Sequence, residues 1–124
     1  MKKTVMLTAP LMILAYYSST QVTTAQEPCE IRTPPDNCQP AQRITINNQS
    51  KNVSPPNVCL DAGNTITVNV TPSGSASMQG KDGGWPSGSG TSWELHAPET
   101  EGEYDYNVYF EDGSCLDPRI TVRR

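Results

Sequence analysis

Four cysteines, one histidine and thirteen carboxylates are the residues of this chain most able to do chemistry. Cys29, Cys38, Cys59 and Cys115 are separated by 8, 20 and 55 residues. A redox dithiol needs a close Cys-x-x-Cys pair, and a structural zinc site needs thiols spaced closely with one another or with histidines. Neither pattern occurs, so disulfides are the expected use. Four cysteines allow three pairings. The favoured set joins Cys29 to Cys38 across the reversal-prone Pro34-Pro35-Asp36-Asn37, and Cys59 to Cys115 across most of the domain.

His96, the only imidazole, stands among Glu94, Glu99, Glu101 and Glu103. One histidine with carboxylates is competent to hold zinc or copper(II), which makes His96, Glu94 and Glu99 the candidate metal ligands. The plainer reading is a solvated acidic edge carrying an incidental histidine, and it is preferred. Glu99, Glu101, Glu103 and Asp105, with Glu111, Asp112 and Asp117, lack the spacing of a calcium loop. Carboxylates at every second position are what the outward face of a strand looks like. A Ser-His-Asp arrangement would have to use His96, and no Gly-x-Ser-x-Gly elbow is present. The expectation is therefore no catalytic residue, no cofactor and no enzyme activity. Trp85, within Gly83-Gly84-Trp85-Pro86-Ser87-Gly88, offers a flat face for a ligand or partner protein. Its competing role is to fold back and plug one end of the domain.

The elements that must position these residues begin after an address label. Met1-Lys2-Lys3 is a positive start, Val5 to Tyr17 is apolar apart from Thr8 and Pro10, and Ser18 to Ala25 is small and polar. This is the layout of a secretory signal peptide over residues 1–25. The apolar stretch is too short to span about 30 Å of hydrocarbon, and no later segment could cross a membrane as a helix. A periplasmic or secreted protein is implied, in a compartment where disulfides persist. Removing residues 1–25 leaves 7 basic and 13 acidic residues, a net charge of 7 − 13 = −6. Nucleic acid and anionic lipid both need basic footprints, so they are excluded as partners.

Helix signals are nearly absent beyond the signal. Eleven prolines and nine glycines interrupt the chain, and alternating runs bounded by turn residues take the place of helical periodicity. Ile44 and Ile46 alternate with polar neighbours. Val58-Cys59-Leu60 precedes the turn Asp61-Ala62-Gly63-Asn64. Ile66, Val68 and Val70 share a face, and Pro72 ends that strand. Trp93 with Leu95, then Tyr104, Tyr106, Val108 and Phe110, then Ile120 with Val122, complete the inward set. Residues 73–90 hold little to bury and read as the loosest part. About six short strands, each apolar on one face, imply antiparallel sheets packed as a β-sandwich over residues 43–124. Residues 26–42 read as a Pro/Cys-rich leader stapled locally.

Two stretches carry a resemblance. Val58-Cys59-Leu60-Asp61-Ala62-Gly63-Asn64-Thr65-Ile66-Thr67-Val68 is similar to the strand, turn and strand of cupredoxins, the plastocyanin-type sandwiches. Gly102-Glu103-Tyr104-Asp105-Tyr106-Asn107-Val108 resembles their Gly-x-Tyr-x-Tyr approach to copper. Asp117-Pro118-Arg119-Ile120-Thr121-Val122 resembles the final strand of related periplasmic domains. Together they hold 24 of the 99 residues left after signal removal, about a quarter. The resemblance implies a copper site of two histidines, a cysteine thiolate and a weak axial ligand, usually methionine. Its thiolate position would fall near Val108, no histidine or methionine follows, and Met78 is the one methionine after the signal. The resemblance thus implies a cupredoxin-like domain lacking the copper ligands. The resulting expectation is an exported, non-catalytic cell-envelope interaction or accessory domain with a protein or small-ligand partner. The alternative is a periplasmic copper- or zinc-binding protein using His96 and nearby carboxylates.

Overall fold

A computed structural model describes Cys29 and residues 33–124; the signal peptide expected over residues 1–25, and the leader's residues 26–28 and 30–32, lie outside the described residues. Eleven strands follow in chain order: β1 (Gln39–Pro40), β2 (Arg43–Asn47), β3 (Asn52–Ser54), β4 (Asn57–Asp61), β5 (Thr65–Thr71), β6 (Ala76–Gly80), β7 (Ser87–Gly90), β8 (Ser92–His96), β9 (Gly102–Phe110), β10 (Cys115–Leu116) and β11 (Arg119–Arg123). No helix occurs among the described residues. The larger sheet has the order β1-β4-β11-β9-β6-β7, with β10 paired to β9, and the smaller sheet the order β3-β2-β5-β8.

The inward faces are those the alternation marks. Ile44 and Ile46 of β2, Ile66, Val68 and Val70 of β5, and Leu95 of β8 line the smaller sheet. Val58 and Leu60 of β4, Tyr106, Val108 and Phe110 of β9, and Ile120 and Val122 of β11 line the larger one. All of them are buried and belong to one cluster. Closing two sheets over such a lining removes water from both faces at once, which is the main driving force for a sandwich. The loop expected to be loosest is a hairpin instead: β6 pairs with β7 and with β9. Its inward residues are Ala76, Met78 and Gly80, small enough that their period-two pattern does not read as apolar alternation.

Most ladders are antiparallel, as expected, but three are parallel: β1 with β4, β11 with β4, and β2 with β5. Parallel neighbours need a long crossover. Here the chain supplies it by passing through the opposite sheet between partners. β4 sits between β1 and β11, and four consecutive residues, Asn57 to Leu60, are buried. A strand covered on both faces reads as a continuous buried run rather than an alternation.

The covering comes from the leader, and it corrects the expected disulfide pairing. Cys38 bonds Cys59 and Cys29 bonds Cys115. The Pro34-Pro35 segment does not return on itself. The Pro35 carbonyl accepts a hydrogen bond from Asn57 Nδ2 (2.8 Å), and Pro40 lies opposite Cys59 in the β1–β4 register. That places Cys38 against Cys59 with Cα atoms 5.0 Å apart. Cys115, on β10 opposite Tyr109, is left for Cys29 at 5.3 Å. The bridges span sequence separations of 21 and 86 residues. In the chain-entropy picture, loops of those lengths are worth about 3.4 and about 4.6 kcal/mol. Removing the Cys38–Cys59 bridge as the Cys38→Ser/Cys59→Ser double variant should lower urea-unfolding stability by about 3 kcal/mol; an unchanged midpoint would contradict the placement of the leader.

Asn57 is the one buried polar side chain among the described residues. Its amide donates to Pro35 and its Oδ1 accepts from Thr121 Oγ1 (2.8 Å), so leader, β4 and β11 meet at one satisfied group. Tyr106 is the opposite case. Its hydroxyl is buried with no partner among the described residues, and burial pushes the phenol far above its usual range. Asn57→Ala should therefore cost about 2–3 kcal/mol. Tyr106→Phe should hold stability or raise it by as much as about 1–3 kcal/mol, because an uncompensated hydroxyl is removed. Equal losses in the two variants, measured by urea titration, would refute this assignment.

Candidate functional site

Strand β9 gives the larger sheet a polar outer face, because every second residue from Glu103 to Tyr109 points away from the core. Asp105 pairs across the ladder with Arg119 of β11, and the guanidinium Nε donates to Asp105 Oδ1 at 2.6 Å. Arg119 also lies 3.5 Å from Glu103. The Asp105 hydrogen bond, and then the charges of Asp105 and Glu103, hold the guanidinium pKa above its usual value against the opposing effect of burial. On the other flank, Lys81 Nζ donates to Asn107 Oδ1 (2.5 Å) and pairs with Asp117 (3.1 Å). Asn107 Nδ2 in turn donates to the Tyr109 hydroxyl (3.0 Å). These bonds hold a row of side chains in fixed orientations.

Trp85 is set at one end of this row by the turn that joins β6 to β7. Gly83 N donates to the Gly80 carbonyl (2.9 Å), and Gly84 N donates to Asp82 Oδ1 (3.1 Å). Gly83 adopts φ +87°, a backbone region where glycine carries no Cβ penalty. The turn folds down onto β6: a methyl group on Gly80 would sit 2.7 Å from the carbonyl oxygens of both Gly84 and Trp85. Trp85 consequently packs edge-on against Tyr104, with centroids 5.1 Å apart and planes at 88°. Both rings are half-buried against the core. Trp85 thus does part of each expected task, closing the sandwich end while lining an open groove with Lys81, Asp82, Glu103, Tyr104 and Asp105.

The expected metal candidates are placed differently. Glu94 and His96 stand exposed on edge strand β8, opposite Thr67 and Thr65. Glu99 lies over the β4–β5 turn, its Oε2 2.9 Å from where a Gly63 methyl would be. Among the described residues no three His, Cys, Asp or Glu side chains converge as a ligand set. Most of the other carboxylates have partners of their own: Glu101 with Arg124 (3.7 Å), Asp112 with Lys51 (3.5 Å), and Glu111 with the Ser75 hydroxyl (2.8 Å). Two hydrogen bonds from Ser114, with Lys51 adding to them, hold the Asp112 pKa below the ordinary carboxylate value.

The residues present do not fit a blue copper centre. All four cysteines are bonded to one another. Val108, at the position the resemblance assigns to the thiolate, is fully buried. The turn after it, Glu111 to Ser114, is closed on itself by Gly113 N to the Phe110 carbonyl (3.0 Å). Lys51 lies 4.8 Å over the Phe110 ring and donates to the Asn48 carbonyl (2.7 Å).

Sequence reasoning singled out Trp85 but missed Lys81, Asp82 and Tyr104 as its neighbours. The alternation of β9 gave the signal for Tyr104. Nothing marked Lys81, because β6 itself was unread.

No protein-family model and no curated protein matches the chain. Solved structures do. A purple cupredoxin from Nitrosopumilus maritimus is 22% identical, with 66% of this chain and 99% of that chain covered and a TM-score of 0.50. A reduced Cu(I) form of amicyanin (14% identical, 71% and 87% covered, TM-score 0.49) and the copper-containing nitrite reductase from Thermus scotoductus SA-01 (13% identical, 69% and 23% covered, TM-score 0.49) are also similar. The first of these likenesses shows a cupredoxin-like fold, and at 22% identity it speaks for the fold alone.

Gly80→Ala should lift the β6–β7 turn and expose Trp85. In a Trp93→Phe background, where Trp85 is the only tryptophan, its emission should shift to the red; an unmoved spectrum would contradict the packing.

Proposed function

We propose that this cupredoxin-like chain is an exported domain that works by contact, as a cell-envelope interaction or accessory protein, and neither carries electrons nor catalyses a reaction. The observation that carries the reading is the fate of the thiols. An electron-carrying copper site of this architecture needs a free thiolate beside two imidazoles. This chain commits its cysteines to two disulfides and has one histidine, on an exposed edge strand. Two disulfides also agree with an oxidising compartment, as does the signal-like start. No helix among the described residues is long and apolar enough to cross a membrane.

What the domain offers instead is the ordered polar face of β9, β6 and β11 with Trp85 at its edge. Contact surfaces of this kind gain affinity when their side chains are held before the partner arrives, because less freedom is lost on binding. Among the described residues, the grooves along that row are open to solvent and do not enclose a group for proton transfer.

Loading the purified, oxidised protein with copper(II) and copper(I) separates this reading from an electron carrier. The expected result is no blue or purple charge-transfer absorption and no stoichiometric copper in native mass spectrometry, with His96→Ala indistinguishable from the parent. A coloured, tightly held copper that cycles between oxidation states would overturn the proposal.

A further inference from the structure

The free edge of a sheet presents unpaired backbone donors and acceptors to which another strand can add. Among the described residues the larger sheet ends at β1 and β7, and the smaller at β3 and β8. β1 has two residues, and its Pro40 lacks a donor. β3 has three and is followed at once by Pro55-Pro56. β7 has four, alternating serine and glycine. β8, Ser92 to His96, is the longest of these edges, and no proline interrupts it.

The β5–β8 ladder fixes which way the backbone of β8 points. Val70 N donates to the Thr91 carbonyl (2.9 Å), and Ala97 N donates to the Asn64 carbonyl (2.8 Å). Residues that exchange backbone bonds alternate along an antiparallel pair. Trp93 and Leu95 therefore bond to Val68 and Ile66, while Ser92, Glu94 and His96 turn their amides and carbonyls to the open edge. The side chains of those three residues are exposed on the outer face, where β5 sets only Asn69, Thr67 and Thr65 opposite them. Thr91 alone joins β7 to β8, so both free edges lie on the same side of the sandwich. Nothing larger than serine protrudes from β7, which leaves the approach to β8 clear of bulk from the other sheet.

We infer that β8 pairs antiparallel with β8 of a second copy of this chain, each Glu94 lying opposite His96 of the other copy. A two-fold contact uses every group twice, so the choice of register is narrow. Centring the pair on Glu94 would oppose two carboxylates directly, which is destabilising. A shift of two residues toward Ser92 sets Glu94 opposite Ser92 and leaves His96 without a charged partner. The opposite shift creates two carboxylate–imidazole pairs, and an imidazole has a ring N–H to donate in either charge state. The same register forms four backbone bonds between the Glu94 and His96 positions. Two four-stranded sheets become one of eight strands across the two-fold axis. Opposite groups two residues apart on one edge are self-complementary, which is why the occupant is a second copy. A contact confined to five residues a side falls below the roughly 1,200 Å² of a standard interface, so the dimer exchanges readily with monomer.

Sedimentation equilibrium of the folded, oxidised chain over a wide concentration range tests the inference. The parent should associate reversibly to a dimer and no further. Glu94→Lys sets an ammonium opposite the imidazole and should raise the dissociation constant about tenfold or more. Glu94→Pro removes an edge-facing amide without touching the ladder to β5, and should do the same. The exchange Glu94→His/His96→Glu rebuilds both pairs with the partners reversed and should bring association back to within about threefold of the parent. Should Glu94→Pro misfold by circular dichroism, Glu94→Lys and the exchange still decide the matter. A parent that stays monomeric, a dimer that survives Glu94→Lys, or an exchange variant no better than Glu94→Lys would overturn the inference.

Discussion

Strand β4 is the constraint on which the rest of the structure depends. It is held in parallel register by β11 on one side and β1 on the other, and Asn57, Val58, Cys59 and Leu60 are all buried. Burying a strand on both faces requires something to cover the side turned away from the core. The leader does this, through the Cys38–Cys59 bridge and the bond from Asn57 Nδ2 to Pro35. The same requirement fixes the use of the thiols. Cysteines that tie a leader to a sheet are not available to a metal as thiolate ligands.

The polar face follows from the same geometry. With β11 inserted between β4 and β9, Arg119 comes opposite Asp105, and the adjacent Asp117 comes within reach of Lys81. The β6–β7 turn can close onto β6 because Gly80 has no side chain to resist it, and this sets Trp85 against Tyr104. A sandwich end and a groove wall are thus built from the same ring pair.

Much of the core was legible in the sequence. Ile66, Val68 and Val70, and Tyr106, Val108 and Phe110, alternate cleanly because each strand has one wet face and one dry face. Strands β6 and β7 were not legible, since a pattern of Ala, Met and Gly against Ser, Gly and Gln carries almost no hydropathy contrast. The disulfide pairing was not legible either. Local chain reversals favour Cys29 with Cys38, whereas the true partners depend on which strands lie side by side, and that is set by contacts distant in sequence. Three parallel ladders were hidden for the same reason. At the candidate site, Trp85 stood out by residue type, but Lys81 gains its meaning only from the β6–β9 register.

The measurement that bears most directly on this account is a proteolytic digest of the protein under non-reducing conditions, read by mass spectrometry. The account predicts linked peptides joining Cys29 to Cys115 and Cys38 to Cys59, with no free thiol. A Cys29–Cys38 peptide, or cysteines that alkylate without prior reduction, would contradict it.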